Sequence, residues 1–271
     1  MRWSFQNYIM FKSSRKKLIA IGCSYTDHYL NSVQSPNLDF DFPRWPQHLA
    51  DMLDMECVNL GKAGMGNEYM LAKVLEVLDE KNIGLVVIMW SEWQRLDFQT
   101  KTHNWDNFHP HRDNSKVPRV ERFPINLEAR QAILKYFNFK ARSMRNLRTF
   151  FIVQEVLKNV QYLMIQGTQN FSTDVIYHED GSVNDIKDTI KIRKRMKEFI
   201  SEPLFDKIDE KKFIGWPIFR EIGGYCVDNI LDDIDPSRNI YRMSKEDSHP
   251  NDKGHKCIGE MLFNEYKKIY I

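Results

Sequence analysis

Three short apolar runs, spaced by two helix-like stretches, constrain the fold of this chain more than any other feature. Leu18-Ile19-Ala20-Ile21-Gly22 is a continuous apolar run ending in glycine, as suits a parallel strand buried on both faces. Cys57-Val58-Asn59-Leu60 is a second, shorter run, and Gly84-Leu85-Val86-Val87-Ile88-Met89-Trp90 is the clearest strand in the chain. Between the first two, Pro46 opens a short helix through Asp54, with Leu49, Ala50, Met52 and Leu53 as its apolar positions. Between the second and third, a helix over about 68–80 carries Met70, Leu71, Val74, Leu75 and Leu78 on one face. This alternation predicts an α/β fold, a three-layer α/β/α sandwich with a central parallel sheet.

The rest of the chain is less regular. Residues 91–126 contain Pro, His, Asp and Asn without periodicity and read as irregular. A helical pattern runs from Leu127 to Lys158, long enough for two helices. Tyr162-Leu163-Met164-Ile165 reads as a fourth strand, 167–185 as a loop and 186–201 as a basic helix. Trp216-Pro217 and Gly223-Gly224 break a mixed stretch over 202–236, and a last helix spans about 251–268. Without a visible linker or repeat, residues 1–271 are expected to form a single domain with a largely helical insertion at about 91–160.

Composition excludes several classes. With 42% hydrophobic and 28% charged residues, the chain has material for a sizeable core. A net charge of +2 gives no argument for nucleic acid as a partner. The basic stretch from Lys187 to Lys197 has acidic neighbours and reads as a solvated helix face. No apolar run approaches the roughly 20 residues that span a bilayer, and Met1 to Lys17 lacks the apolar centre of a signal peptide. Cys23, Cys57, Cys226 and Cys257 are scattered, which suits reduced thiols in a cytoplasm; a viral particle or signal-independent export is also compatible.

The residues that bear chemistry lie near the two ends. Ser24 follows the first strand, at the edge where parallel sheets bind ligands. On residue type alone it reads equally as a turn serine or a cap. His249 precedes Pro250 at a helix start, in a loop position suited to a base. Asp247 or Glu246 can hold its imidazole tautomer, while Asp247 or Ser248 can instead cap the last helix. In the glycine turn 61–67, the Gly64 N–H can face the same crevice.

Together these segments resemble the SGNH (GDSL-type) hydrolase superfamily. Gly22-Cys23-Ser24-Tyr25-Thr26 resembles its first block, with Cys23 where Asp is usual. Trp45-Pro46-Gln47-His48-Leu49-Ala50-Asp51-Met52-Leu53 is similar to a stretch common among members. Asn59-Leu60-Gly61-Lys62-Ala63-Gly64 resembles the second block and Asp247-Ser248-His249-Pro250-Asn251 the last. The resemblance implies a flavodoxin-like strand order, a nucleophile at Ser24, a general base at His249 and oxyanion donors at the Ser24 and Gly64 N–H groups. It implies no metal or other cofactor, and a small-molecule or carbohydrate ester as substrate, a carbohydrate O-deacetylase being one form.

The chain also departs from that pattern. After the third strand, where the family supplies an oxyanion Asn, it has Trp90-Ser91-Glu92-Trp93-Gln94-Arg95. Ser91 can donate a hydrogen bond and an ionised Glu92 cannot; Asn67 is a candidate substitute. For the acid, the commonest family spacing points to Glu246, and the Asp-x-His-Pro form to Asp247, which is preferred. Trp90, Trp93 and Trp105 are candidates for stacking on sugar, with core packing as the alternative, and Arg95 for binding an acidic or sugar substrate, with a surface ion pair as the alternative. His103, Asp106, His109, His111 and Asp113 share one loop, but their spacing matches no standard metal signature. The alternative to an esterase is a catalytically weak or inactive SGNH-like binding module of a larger assembly.

Overall fold

The structure is a computed structural model that describes residues 15–28, 41–102, 104–108, 132–133, 135–136, 138–169, 175–177, 183–185 and 189–271. Five parallel strands form the central sheet: β1 (Lys17–Gly22), β2 (Glu56–Asn59), β3 (Ile83–Trp90), β6 (Tyr162–Gln166) and β9 (Phe213–Ile214). Their order is β2-β1-β3-β6-β9, with every adjacent pair parallel. The chain starts near the middle, moves to one edge, then crosses back and grows the other way. That reversal beside β1 marks the carboxyl ends of β1 and β3 as the edge where open parallel sheets bind ligands.

The pleat distributes each strand over two cores. Ile19, Ile21, Val86, Ile88, Trp90, Met164 and Phe213 face one layer, made by α2 (Asn67–Glu76), α3 (Phe139–Val156) and α4 (Thr189–Ile200). Leu18, Ala20, Leu85, Val87, Met89, Leu163 and Ile165 face the other. There they meet α1 (Trp45–Met52), α5 (Val227–Ile234) and α6 (Asp252–Tyr270). A sheet buried on both faces explains why its inner strands read as unbroken apolar runs rather than as alternation. The molecule is thus a three-layer α/β/α sandwich with the flavodoxin-like order expected.

Several elements differ from the sequence reading. The stretch after β3 is not wholly irregular: β4 (Leu96–Gln99) and β5 (Trp105–Phe108) form an antiparallel hairpin. Of the long helical pattern, α3 occupies 139–156, and residues 109–131 lie outside the described residues. Asn138 caps α3 by accepting the Ala141 N–H at 3.1 Å. The segment read as a loop over 167–185 contains the two-stranded pair β7 (Val175–Tyr177) and β8 (Val183–Asp185). Strand β9 was hidden in the mixed stretch because it is two residues long. Among the described residues, no helix is long and apolar enough to cross a membrane.

Candidate active site

Ser24 sits in the turn that follows β1. The Cys23 carbonyl accepts the N–H groups of Thr26 and Asp27, each at 2.9 Å, so the chain reverses sharply and leaves Ser24 partly exposed at the rim. The glycine turn is stitched to this bend. Lys62 N–H donates to the Gly22 carbonyl at 3.0 Å and Ala63 N–H to Asp27 Oδ2 at 2.8 Å. Asn59 donates its side-chain amide to the Thr26 carbonyl and accepts the Gly61 N–H. Gly64 has φ of 83°, a left-handed conformation that a side chain would strain. Neither the Ser24 nor the Gly64 N–H donates to another group among the described residues.

From the other end of the chain, His249 arrives on a loop locked by the start of α6. Asn251 caps this helix by accepting the Gly254 N–H at 3.0 Å, and its amide donates to the carbonyls of Ile240 and Arg242 at 2.9 Å. The cap is therefore Asn251, not Asp247 or Ser248. His249 Nδ1 lies 2.6 Å from Asp247 Oδ1, and His249 Nε2 lies 2.9 Å from Ser24 Oγ. Asp247 Oδ1 also accepts the backbone N–H of His249 at 3.1 Å.

Asp247, His249 and Ser24 form one hydrogen-bonded chain. The Asp247 side chain is fully buried, and that of His249 is 25% exposed. A buried carboxylate acts as acceptor only, so it selects the tautomer with hydrogen on Nδ1 and a lone pair on Nε2 facing Ser24. Glu246 has no part in this chain. It is exposed and accepts a hydrogen bond from Ser244 Oγ at 3.1 Å. The tight Asp-x-His turn points residue 247, not 246, at the ring.

The other site residues expected from sequence lie elsewhere. Asn67 is 1% exposed. Its Oδ1 accepts the Ser91 N–H at 2.9 Å and its amide donates to Asn146 Oδ1 at 2.6 Å, so it braces α2 against β3 and α3 instead of facing the crevice. Ser91 is fully buried, and its carbonyl accepts Gln166 Nε2 at 3.0 Å. Trp90 and Trp93 are core residues. Trp90 packs on Phe150, and Trp93 packs among Phe150, Phe199 and Phe219. Strand parity explains Trp90, which follows Val86 and Ile88 onto the α2–α3 face.

Arg95 is also buried. It donates to the Met65 carbonyl at 2.8 Å, with Glu92 Oε2 3.5 Å from its Nε. Trp105 is half-buried, edge-on to Tyr69. Beside them, Asp97 of the hairpin accepts the N–H groups of Gly66 and Tyr69 and so caps α2 from outside. Asp106 accepts the Asn107 N–H, while His103, His109, His111 and Asp113 lie outside the described residues. Among the described residues, no group of three or more His, Cys, Asp or Glu side chains is placed to hold a metal.

Sequence reasoning missed a part-buried ionic cluster behind the site. Tyr25, next to Ser24, places its hydroxyl 2.7 Å from Asp228 Oδ1 and 2.9 Å from the carbonyl of Ser248, next to His249. Arg242, whose side chain is fully buried, donates to Asp228, Asp232 and the Ser248 carbonyl. Burial and the neighbouring Asp228 charge push the Tyr25 phenol well above its ordinary pKa, so it stays protonated. Burial alone would lower the Arg242 guanidinium, but the Asp228 and Asp232 carboxylates raise it above its ordinary value. The one local signal was the place of Tyr25 directly after the candidate nucleophile.

No protein-family model matches the chain, and no curated protein matches it. Among solved structures it is similar to an acetylxylan esterase from Geobacillus stearothermophilus at 16% identity, covering 92% of this chain and 93% of that one, with a TM-score of 0.42. A lipase/acylhydrolase from Enterococcus faecalis is similar at 13% identity, covering 93% and 96%, with a TM-score of 0.42. A member of the lipolytic protein G-D-S-L family from Veillonella parvula is similar at 12% identity, covering 94% and 98%, with a TM-score of 0.38. The fold rests on its strand order, and the site on its own distances.

Proposed function

We propose that this chain is a serine ester hydrolase that works through an acyl-enzyme on Ser24. The observation that carries this is the contact chain from Asp247 Oδ1 through His249 to Ser24 Oγ, at 2.6 Å and 2.9 Å, set at the carboxyl edge of a parallel sheet. In this reading His249 Nε2 takes the Ser24 hydroxyl proton as Oγ attacks the ester carbonyl carbon. Asp247 holds the imidazole and stabilises its cation. The N–H groups of Ser24 and Gly64 receive the oxyanion. The tetrahedral intermediate collapses, and His249 returns the proton to the departing alcohol. Water, deprotonated by the same nitrogen, then attacks the acyl-serine carbonyl, and as the acid is released His249 returns that proton to Ser24 Oγ.

The motif resemblance to SGNH hydrolases supports the same assignment and needs no cofactor. A small acyl group is the substrate feature it suggests. The sugar-binding form loses the support of Trp90 and Trp93, since both are core. Four free cysteines fit the cytoplasmic setting expected from the sequence. A rapid-quench mass spectrum with excess p-nitrophenyl acetate should show one acetyl group, on the peptide containing Ser24. Steady turnover with acetyl-free protein would refute the covalent intermediate.

One observation favours a second reading, a binding module with weak or no turnover. The Asn67 side chain is bonded to Asn146 and to the Ser91 N–H, and Ser91 is fully buried, so neither side chain is exposed to supply the extra oxyanion donor. Loss of one such donor costs about 10²–10³ in rate. Tight ester or glycan binding that survives Ser24→Ala, with no product from the unaltered protein, would establish the module.

A further inference from the structure

We infer that Arg242 and Tyr25 are positioning residues that hold Ser24 and His249 in register by fastening the residue after the one to the residue before the other. The inference rests on the reading of Ser24 and His249 as nucleophile and base. The two loops come from opposite ends of the chain, and the 2.9 Å contact between their tips needs something to fix it.

Tyr25 has one phenolic proton and three acceptors in reach, Asp228 Oδ1 at 2.7 Å, the Ser248 carbonyl at 2.9 Å and Ser248 Oγ at 3.4 Å. Arg242 resolves the competition. Its Nη1 donates to that carbonyl at 2.5 Å and to Asp228 Oδ1 at 2.9 Å, and it lies 3.2 Å from the Tyr25 oxygen. Its Nη2 donates to Asp232 Oδ1 at 2.8 Å and to the Asp228 carbonyl at 3.1 Å. Asp228 and Asp232 are one turn apart on α5, so the guanidinium bridges that helix, the nucleophile turn and the histidine loop.

The planar fork of arginine suits this role, whereas a lysine ammonium is a point charge. Further contacts set the same frame. Asp228 Oδ2 accepts the Gln169 N–H at 3.0 Å, tying in the segment after β6. The Tyr25 ring stands edge-on to the His249 imidazole at 5.5 Å. Neither Tyr25 nor Arg242 is hydrogen-bonded to Ser24 Oγ or to a ring nitrogen of His249, so their effect passes through geometry.

The test uses the full chain in two measurements. One is the rate of serine labelling by a fluorophosphonate at rising reagent concentration. The other is the imidazole ¹⁵N spectrum of His249, which reads the ring without any turnover. Tyr25→Phe keeps the ring packing and deletes only the hydroxyl, and Arg242→Met keeps the length and deletes the fork. A misplacement of about 1 Å costs about 10²-fold in rate. Labelling at saturating reagent should therefore fall about 10²-fold for Arg242→Met and about tenfold for Tyr25→Phe. The half-saturating concentration should stay unchanged, and the His249 resonances should shift.

Should Arg242→Met fail to fold, as judged by circular dichroism, Tyr25→Phe carries the test. Wild-type labelling rates together with unchanged His249 resonances in folded variants would overturn the inference. An unaltered protein that never labels would refute the catalytic reading instead. The His249 spectra would then still decide whether the brace sets the ring.

Discussion

Replacing Asp247 with asparagine removes a charge without removing volume, and the structure sets the size of the effect. Asp247 Oδ1 accepts two N–H groups of His249, the ring Nδ1–H at 2.6 Å and the backbone N–H at 3.1 Å. In Asp247→Asn an amide oxygen can keep one of these, but the carboxylate that stabilises an imidazolium is gone. The amide NH₂ can also favour the wrong ring tautomer. Loss of this group in a Ser–His–Asp arrangement lowers turnover by about 10⁴-fold. At about 1.36 kcal/mol per factor of ten, that is about 5 kcal/mol of transition-state stabilisation. Stability should change far less, because the fully buried carboxylate also loses its desolvation penalty. The assay is ester turnover and fluorophosphonate labelling of Asp247→Asn beside Glu246→Gln, with melting temperatures as controls. Glu246→Gln should label at the wild-type rate, since Glu246 is exposed and bonds only to Ser244 among the described residues. Asp247→Asn within tenfold of wild type, or a large loss in Glu246→Gln, would refute the assignment of the acid.

Other consequences are separately measurable. Trp93→Ala should destabilise the fold by about 3–5 kcal/mol in denaturant titration, because Trp93 fills the core among three phenylalanines; a rise in KM with unchanged stability would mean that it faces substrate after all. Gly22→Ala should cost about 1–3 kcal/mol and slow labelling, since a Cβ there would lie 2.1 Å from Thr26 Oγ1 and 3.1 Å from the Met89 carbonyl; an unchanged melting temperature would contradict this packing. Burial, with Arg44 and His48 nearby, holds the His255 pKa well below 6.5, and its Nδ1 accepts the Trp45 N–H at 3.3 Å. Below the unfolded value of about 6.5 the unfolded chain binds a proton that the folded one refuses, so stability should fall by about 1.4 kcal/mol per pH unit as pH drops below that point. His255→Gln should flatten this slope in melting curves between about pH 6.5 and 5, and a slope that persists would locate the titration elsewhere.

The sheet was legible in sequence where burial on both faces produced unbroken apolar runs, as in β1 and β3. Strand β9 was not, because Phe213–Ile214 is too short to carry a period. The β4–β5 hairpin was also missed, since Leu96-Asp97-Phe98-Gln99 alternates for only four residues. Ser24 and His249 could be read because each sits in a loop bounded by a recognisable element. Choosing between Asp247 and Glu246 depends on the path of a tight turn, which spacing does not fix. Trp90 was placed at the crevice by its position in the chain, although its parity with Val86 and Ile88 already pointed inward. Arg242 and Asp228 stand 14 residues apart, and nothing local in the sequence announces their pairing.

Activation of Ser24 by His249 is the step from which the proposed chemistry follows. Intact-mass labelling with a fluorophosphonate, on wild type, Ser24→Ala and His249→Ala, tests it without knowledge of the natural ester. A single adduct is expected on the wild-type protein, absent from Ser24→Ala and strongly slowed in His249→Ala. A folded wild-type protein that takes no adduct, or an adduct that persists in Ser24→Ala, would contradict it.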